Sequence, residues 1–205
     1  MKRWFALAGL LAATVAFWPA QQAIGQGGWT VLFDGKNLDN FEKVGDANWR
    51  IEDGAVVADK GNGFLVTKNN YGDFQLRAEF WVGPDANSGI FIRCTDPAKV
   101  GTASAYEVNI WDDRPSKDYA TGAIVDIAKV DPMPTSVGKW NVYEITAKGG
   151  TFTVVLNGQK TVEAKDSKHA SGKIALQHGL GNKDAAGVVN DKGVVKFRKV
   201  EIKKL

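Results

Sequence analysis

Apolar and polar side chains alternate with a period of two residues along much of this chain. In residues 74–82 every second side chain is apolar, and three of the four between them are polar. Residues 106–111 repeat the pattern, with apolar side chains at 106, 108 and 110. This period is typical of a β-strand that faces a core on one side and solvent on the other. Outside the N-terminal segment we find no convincing apolar stripe of helical period, so we expect a β-rich domain.

Turn residues divide the chain into short candidate strands. Asn157-Gly158 is the strongest two-residue hairpin signal, and the last strand needs a bulge near Arg198-Lys199 to keep its apolar residues on one face. Short strands at regular spacing predict an all-β sandwich of two antiparallel sheets in a single domain. The other candidate strands are residues 29–33, 49–52, 55–58, 64–67, 89–93, 122–125, 143–147, 152–156, 159–162, 173–177 and 194–202.

The N-terminus has the features of a secretory signal peptide. Lys2 and Arg3 precede an apolar run that ends at Trp18, and small residues at 23 and 25 fit cleavage after Gly25. The apolar run, about 15 residues, is shorter than the ~20 that span a bilayer, which argues against an uncleaved membrane anchor. We therefore expect residues 1–25 to be a signal peptide, residues 26–205 to be the domain, and the protein to be periplasmic or secreted.

The charge balance argues against a nucleic-acid partner, and the cysteine content excludes an internal disulfide. The 26 Lys and Arg side chains nearly balance the 23 Asp and Glu side chains, whereas a dedicated nucleic-acid-binding protein needs a basic face. We therefore expect no nucleic-acid partner. Cys94 is the only cysteine, so no internal disulfide can form, and its apolar surroundings in the sequence predict a buried residue rather than a nucleophile.

The strand at 106–111 carries one face suited to carbohydrate. Alternation places Glu107, Asn109 and Trp111 on that face. Carboxylate and amide groups can bind hydroxyls, and an indole ring can cover the apolar face of a sugar. The alternative is an ordinary solvent-facing side of a strand, and the residues alone leave both interpretations open.

A second segment places polar side chains at the start of a predicted strand. Asn87 and Ser88 stand there and either close a turn or bind a ligand. Arg93, by alternation, shares a face with Phe91. We expect Arg93 either to pair with Glu107 or to stabilise an anionic intermediate.

A third segment ends a strand with Gln177 and His178, and functional groups concentrate at strand ends. His178 can act as a general acid or base, as a metal ligand or as a structural donor. A single histidine is a weak metal signal, and a divalent metal ion held by Glu107, Asp112 and His178 stays an open alternative.

In their order along the chain, these segments resemble the 3-keto-disaccharide (3-keto-glycoside) hydrolase domain family, which was formerly a domain of unknown function. The resemblance covers nearly the whole chain after residue 25, and the ordered set is more specific than any one motif. The segments are GWTVLFDGKNL (28–38), WRIEDG (49–54), YGDF (71–74), NSGIFIR (87–93), YEVNI (106–110), TGAI (121–124), KWN (139–141), LNG (156–158), IALQHG (174–179) and FRKVEI (197–202).

The resemblance implies a concanavalin-A-like jelly roll, in which two curved antiparallel sheets carry a ligand groove on the concave face. It also implies activity on glycosides oxidised at C3, and hence a functional link to a sugar 3-oxidoreductase that makes them. The stretch from Gly181 to Asp191 is longer than is usual in the family.

The implied chemistry begins with the 3-keto group, which acidifies the hydrogen at C2. A base removes this proton, the enolate expels the glycosidic oxygen from C1, and water then adds. We expect His178 or Glu107 to be the base. Arg93, or a metal ion held partly by Glu107 and Asp112, would stabilise the enolate.

Other functions remain open at this point. Glu107 with Asp112 or Asp126 could form the carboxylate pair of a direct glycosidase. A non-catalytic carbohydrate-binding module is the main alternative, and a structural envelope protein is a third. The catalytic hypothesis requires side chains near 93, 107 and 178 to converge in one hollow on one sheet. The expected substrate contacts are Asn87, Ser88, Asn109, Trp111, Asp112 and Gln177.

Overall fold

The structure, a computed structural model, describes residues 28–205. These residues form thirteen β-strands and two short 3-10 helices, at Pro97–Lys99 and Lys117–Tyr119. The strands are β1 (Thr30–Phe33), β2 (Phe41–Gly45), β3 (Arg50–Glu52), β4 (Ala55–Ala58), β5 (Gly63–Thr67), β6 (Phe74–Val82), β7 (Ser88–Cys94), β8 (Tyr106–Ile110), β9 (Trp140–Lys148), β10 (Thr151–Leu156), β11 (Gln159–Lys165), β12 (Lys173–His178) and β13 (Val195–Lys204).

The strands form two sheets. The larger has eight strands, in the order β11-β10-β9-β6-β13-β4-β3, and β1 also pairs with β13. The smaller has five strands, in the order β2-β5-β12-β7-β8. The strand pairings in both sheets are antiparallel. The predicted all-β sandwich of two antiparallel sheets is therefore confirmed.

One apolar core fills the space between the two sheets. β6 supplies alternate buried residues from Phe74 to Val82, and β8 supplies Tyr106, Val108 and Ile110, as the alternation predicted. Each large apolar side chain that is fully buried contributes about 1.5–3 kcal/mol. Because the single cysteine is a free thiol, this burial rather than a disulfide holds the sheets together.

Two details differ from the predicted strands. Residues 41–45 form β2 at the edge of the smaller sheet, although no strand was predicted there. Residues 122–125 form isolated bridges instead of a strand, with Ile124 opposite Val108 and Ala128, and they cover the free edge of β8. The predicted bulge in the last strand is confirmed, since the pairing of β13 with β6 shifts register around Lys199, whose φ is +48°.

The predicted signal peptide, residues 1–25, lies outside the described residues. Among residues 28–205, no helix has the length and apolar character needed to cross a membrane.

Candidate active site on the outer face of the smaller sheet

We call the side of the five-stranded sheet that faces away from the larger sheet the outer face. Three aligned strands supply its centre, because Ala175 of β12 lies opposite Phe91 of β7, and Phe91 lies opposite Glu107 of β8. Phe91 and Ala175 belong to a small apolar cluster that is separate from the main core. Asn109, the next residue of β8 on this face, lies opposite Gly89. The outer face therefore has an apolar floor with polar groups beside it.

Gly89 leaves the space beside Glu107 open. A Cβ atom at position 89 would lie 3.2 Å from both Cγ and Oε1 of Glu107. Any larger residue would therefore push the carboxylate aside. The absence of a side chain at this point lets the Glu107 carboxylate lie along the sheet.

Glu107 has the electrostatic character of a catalytic base. Its side chain is largely buried, and only 8% of the residue is exposed. Burial raises the pKa of Glu107 from 4.5 to about 7, while the positive charge of Arg114 lowers it and the negative charge of Asp126 raises it. A carboxylate whose pKa is near neutral can both take up and release a proton under ordinary conditions.

Three amide side chains on the outer face offer free acceptor atoms. Oδ1 of Asn87, Oδ1 of Asn109 and Oε1 of Gln177 are all buried, and none accepts a hydrogen bond from the described residues. Two of these amides are held by their nitrogens, since Asn109 donates to the carbonyl oxygen of Tyr119 at 2.6 Å and Asn87 donates to that of Leu180 at 2.6 Å. A buried acceptor without a donor is costly, so these oxygens are suited to bind ligand hydroxyls.

A cavity of about 200 Å³ lies beyond the end of β8. Trp111 forms part of its wall, and the guanidinium of Arg114 lies 5.6 Å from the centre of the indole ring. The outer face thus combines a buried carboxylate, a nearby cation, free amide oxygens and an aromatic wall. This set can bind a sugar ring and move one of its protons.

Arg93 does not belong to this group, which corrects its predicted place. Its φ of +52° marks a bulge in β7, and this bulge turns the side chain toward the core instead of the outer face. Only 1% of Arg93 is exposed, and its guanidinium lies 5.2 Å from the ring centre of Phe152. It donates hydrogen bonds to the carbonyl oxygens of Gly72, Gly149 and His169 and to the carboxylate of Asp73.

His178 also lies away from Glu107. It is fully buried on the core side of β12, where its ring contacts Trp49 edge to face. Its Nδ1 and Nε2 atoms each lie 2.8 Å from a carbonyl oxygen, that of Gly61 and that of Gly193. His178 therefore joins two loops to the end of β12. The predicted convergence of residues 93, 107 and 178 in one hollow is wrong.

Ser88 and Asp112 have structural partners instead of open positions. The Ser88 hydroxyl is buried and donates to the carbonyl oxygen of Gln177 at 2.7 Å. The Asp112 carboxylate accepts hydrogen bonds from the hydroxyl groups of Thr121 and Ser136 and from two backbone N–H groups. Both carboxylate oxygens are thus engaged in holding loops.

The residues present do not fit the metal site considered from the sequence. That site required Glu107, Asp112 and His178, and the structure separates these three side chains. Among residues 28–205 there is no group of three His, Cys, Asp or Glu side chains placed to hold a metal ion. We therefore derive no step through a metal ion.

Arg114 is the site residue that the sequence patterns missed. It follows the strand in the turn Trp111-Asp-Asp-Arg, where alternation makes no prediction. The only feature of the sequence that pointed to Arg114 was its position shortly after the strand that carries Glu107. The structure brings its charge close enough to lower the pKa of Glu107.

The family model for 3-keto-alpha-glucoside-1,2-lyase-like domains matches residues 28–203. The chain belongs to this family. The match covers every strand described above except the last residue of β13, so the predicted family resemblance is confirmed. No curated protein sequence matches the chain.

Solved structures of similar shape support a jelly-roll assignment for this family member. A proposed glycosyl hydrolase from Parabacteroides distasonis is 22% identical, with a TM-score of 0.73 over 87% of this chain and 94% of the other. A β-glucanase from Bacillus licheniformis is 14% identical, with a TM-score of 0.62 over 88% and 100%. A carbohydrate-binding module from Bacillus subtilis is 17% identical, with a TM-score of 0.56 over 86% and 96%.

These similarities confirm the predicted concanavalin-A-like jelly roll. Together with the family, they indicate a protein of the glycosyl hydrolase-like or carbohydrate-binding type.

Proposed function

We propose that this protein cleaves the glycosidic bond of 3-keto-glycosides, with Glu107 as the base. The observation that carries the proposal is the buried Glu107 carboxylate, whose pKa is raised to about 7 by burial, on the same face as three free amide oxygens. A base with a pKa near the working pH is most effective in proton abstraction. Membership of the family supports a 3-keto-glycoside as the substrate class.

The proposed reaction has three steps. The Glu107 carboxylate takes the proton from C2, and the electrons of the C–H bond form an enolate with the C3 carbonyl. The enolate then restores the C3 carbonyl and forms a C1–C2 double bond, while the glycosidic oxygen leaves C1 and takes up a proton. Water adds across the C1–C2 bond, so that C1 gains hydroxyl and C2 gains a proton, and the free 3-keto sugar results.

Neighbouring groups have defined roles in this proposal. Arg114 is the nearby cation that can stabilise the negative charge of the enolate, a role first considered for Arg93. The free oxygens of Asn109 and Gln177 accept hydrogen bonds from sugar hydroxyls, and Trp111 covers an apolar ring face. None of these roles requires His178, which is buried elsewhere.

The direct test compares purified wild-type protein with the Glu107→Gln variant on a 3-keto-disaccharide and on the unoxidised parent sugar. We expect the wild type to release monosaccharide only from the keto sugar, because only that sugar has an acidified C2 hydrogen. We expect Glu107→Gln to lower the rate roughly 100- to 10,000-fold. Glu42→Gln, at an exposed carboxylate of the same sheet, is the matched control and retains full activity. Full activity in Glu107→Gln would contradict the proposal.

A non-catalytic carbohydrate-binding module is the second candidate function. The free oxygens of Asn87, Asn109 and Gln177 and the likeness to the Bacillus subtilis module favour it. Calorimetry with intact glycans separates the two functions. Binding of a glycan together with no turnover of any 3-keto-glycoside would favour the module over the enzyme.

We also propose that the protein is exported to the periplasm or the exterior and acts there on sugars that a 3-oxidoreductase has oxidised. The basic and apolar character of residues 1–25 supports export. Mass spectrometry of the protein recovered from its native host should find Gln26 as the first residue. Recovery of the chain with residues 1–25 still attached would contradict cleavage.

A further inference from the structure

The cavity at Trp111 is built by a segment that has no role in the chemistry proposed above. Residues 181–190 form a small hairpin of their own, in which Gly181 N–H donates to the carbonyl of Asn190 and Asn190 N–H donates to that of Asn182. Asp184 and Val188 pair further along the same hairpin. Because these bonds are internal, the hairpin has a defined shape and can form a stable wall.

Two side-chain contacts fasten this hairpin to the outer face. The amide nitrogen of Asn182 donates to the carbonyl oxygen of Asp113 at 2.9 Å and to its carboxylate at 3.1 Å. At the base of the hairpin, the amide nitrogen of Asn87 donates to the carbonyl oxygen of Leu180. Asn87 also carries one of the free oxygens of the outer face, so this hydrogen bond ties the hairpin to the site.

The spacing along β8 suits a neighbouring sugar. Trp111 directly follows β8, four residues beyond Glu107, which corresponds to roughly 14 Å between their Cα atoms in an extended chain. A sugar whose C2 lies at the Glu107 carboxylate would direct a linked sugar toward the indole ring.

The charge around the cavity is predominantly negative. Three carboxylates line it, those of Asp85, Asp113 and Asp184, against the single ammonium of Lys183. Lys117 pairs with Asp113 at 3.3 Å. In the described part of the chain, neither Asp85 nor Asp184 forms an ion pair. A carboxylate brought into this cavity would meet two unpaired like charges, with Lys183 as the single cation among the lining residues.

We propose that this cavity is the binding subsite for the sugar on the leaving side of the scissile bond, and that it accepts neutral or amino sugars and disfavours uronic acids. The inference rests on the proposed function, since it assigns the second sugar of the same substrate. Trp111 supplies the ring-stacking surface, and the side chains of Asp85 and Asp184 set the charge preference.

The test uses three 3-keto-glucosides that differ only in the leaving group, which is methanol, glucose or glucuronic acid. In the wild type, we expect kcat/KM for the glucuronic acid substrate to be roughly tenfold below that for the glucose substrate. In the Asp85→Asn/Asp184→Asn double variant this ratio should approach one. Asp184→Asn keeps an oxygen that can accept the backbone hydrogen bonds of Ala186 and Val188. If the double variant does not fold, the same ratio is measured in Asp85→Asn alone.

Two further variants sharpen the test. Trp111→Ala should lower kcat/KM roughly tenfold more for the glucose substrate than for the methyl glycoside. Asp39→Asn, at an exposed loop position, is the charge control and should leave every ratio unchanged. Turnover of the substrates with an unaltered ratio in the double variant would overturn the subsite alone. Absence of turnover of all three substrates would overturn the proposed function and the subsite with it.

Discussion

At the scale of single residues, Glu107 couples stability to pH. Burial favours its protonated form in the folded state, while the unfolded chain releases the proton near the ordinary pKa of 4.5. The folded state therefore loses stability as the pH rises from about 4.5 to about 7, and the loss is complete above the folded pKa. A functional carboxylate is thus kept at the expense of stability.

The Glu107→Gln variant should be more stable than the wild type above pH 7, by about 3 kcal/mol, because the amide carries no charge to bury. At pH 4 the two proteins should differ little, since the carboxyl is then protonated in both states. Urea unfolding at pH 4 and at pH 8 measures the difference. Glu42→Gln, on the exposed edge strand, should show no such dependence. An equal free energy of unfolding for Glu107→Gln and wild type at pH 8 would refute the assigned burial.

Residue alternation predicted part of the site and not the rest. It identified Glu107 and Asn109 correctly as one face, because β8 is a regular strand, whereas Trp111 follows the end of that strand. It failed at Arg93, where a positive φ reverses the direction of the side chain. The raised pKa of Glu107 could not be predicted, because burial depends on loops that the strand pattern does not describe.

At the scale of elements, Arg93 connects the end of β7 to three other parts of the fold. Its guanidinium donates to carbonyl oxygens at residues 72, 149 and 169, and it pairs with Asp73 at 2.9 Å. Asp73 also accepts a hydrogen bond from the backbone N–H of Gly149. This network closes one end of the sandwich, where no disulfide is present to do so.

Replacement of Arg93 by methionine should lower the free energy of unfolding by about 3 kcal/mol, because buried carbonyl groups and Asp73 lose their partner. Denaturant unfolding measures the loss. Activity per folded molecule should stay within roughly twofold of the wild type, since the side chain lies on the core side of the sheet. A variant with normal stability and no activity would contradict the structural role and indicate that Arg93 takes part in catalysis.

Strand prediction worked where turn residues and alternation agreed. Asn157-Gly158 joins β10 to β11, and both residues have a positive φ, as the hairpin signal requires. The strand at Phe41–Gly45 was missed because its apolar residues, Phe41 and Val44, do not stand at alternate positions. Residues 122–125 look like a strand in composition and bond to the backbone of β8 at Glu107 and Asn109, but Ile124 turns back to Ala128, so the segment forms isolated bridges only.

At the scale of the whole molecule, the residues that stabilise the fold and the residues of the candidate site lie on opposite sides of the smaller sheet. The core between the sheets holds the apolar residues together with Arg93 and His178, whereas the outer face of the smaller sheet holds Glu107 and the free amide oxygens. The fold could be predicted because its strands alternate regularly. Which residues belong to the site could not be predicted, because bulges and strand ends decide which side of the sheet a polar residue faces.

The most direct measurement follows the hydrogen at C2 when a 3-keto-disaccharide is cleaved in D2O. Proton abstraction by Glu107, elimination and hydration must replace that hydrogen, so NMR should find deuterium at C2 of the released keto sugar. Wild-type protein should give this result, while Glu107→Gln and a protein-free control should show only the slow exchange of the free keto sugar. Cleavage that retains hydrogen at C2 would indicate direct displacement, as in a glycosidase with two carboxylates, and would contradict the proposed mechanism.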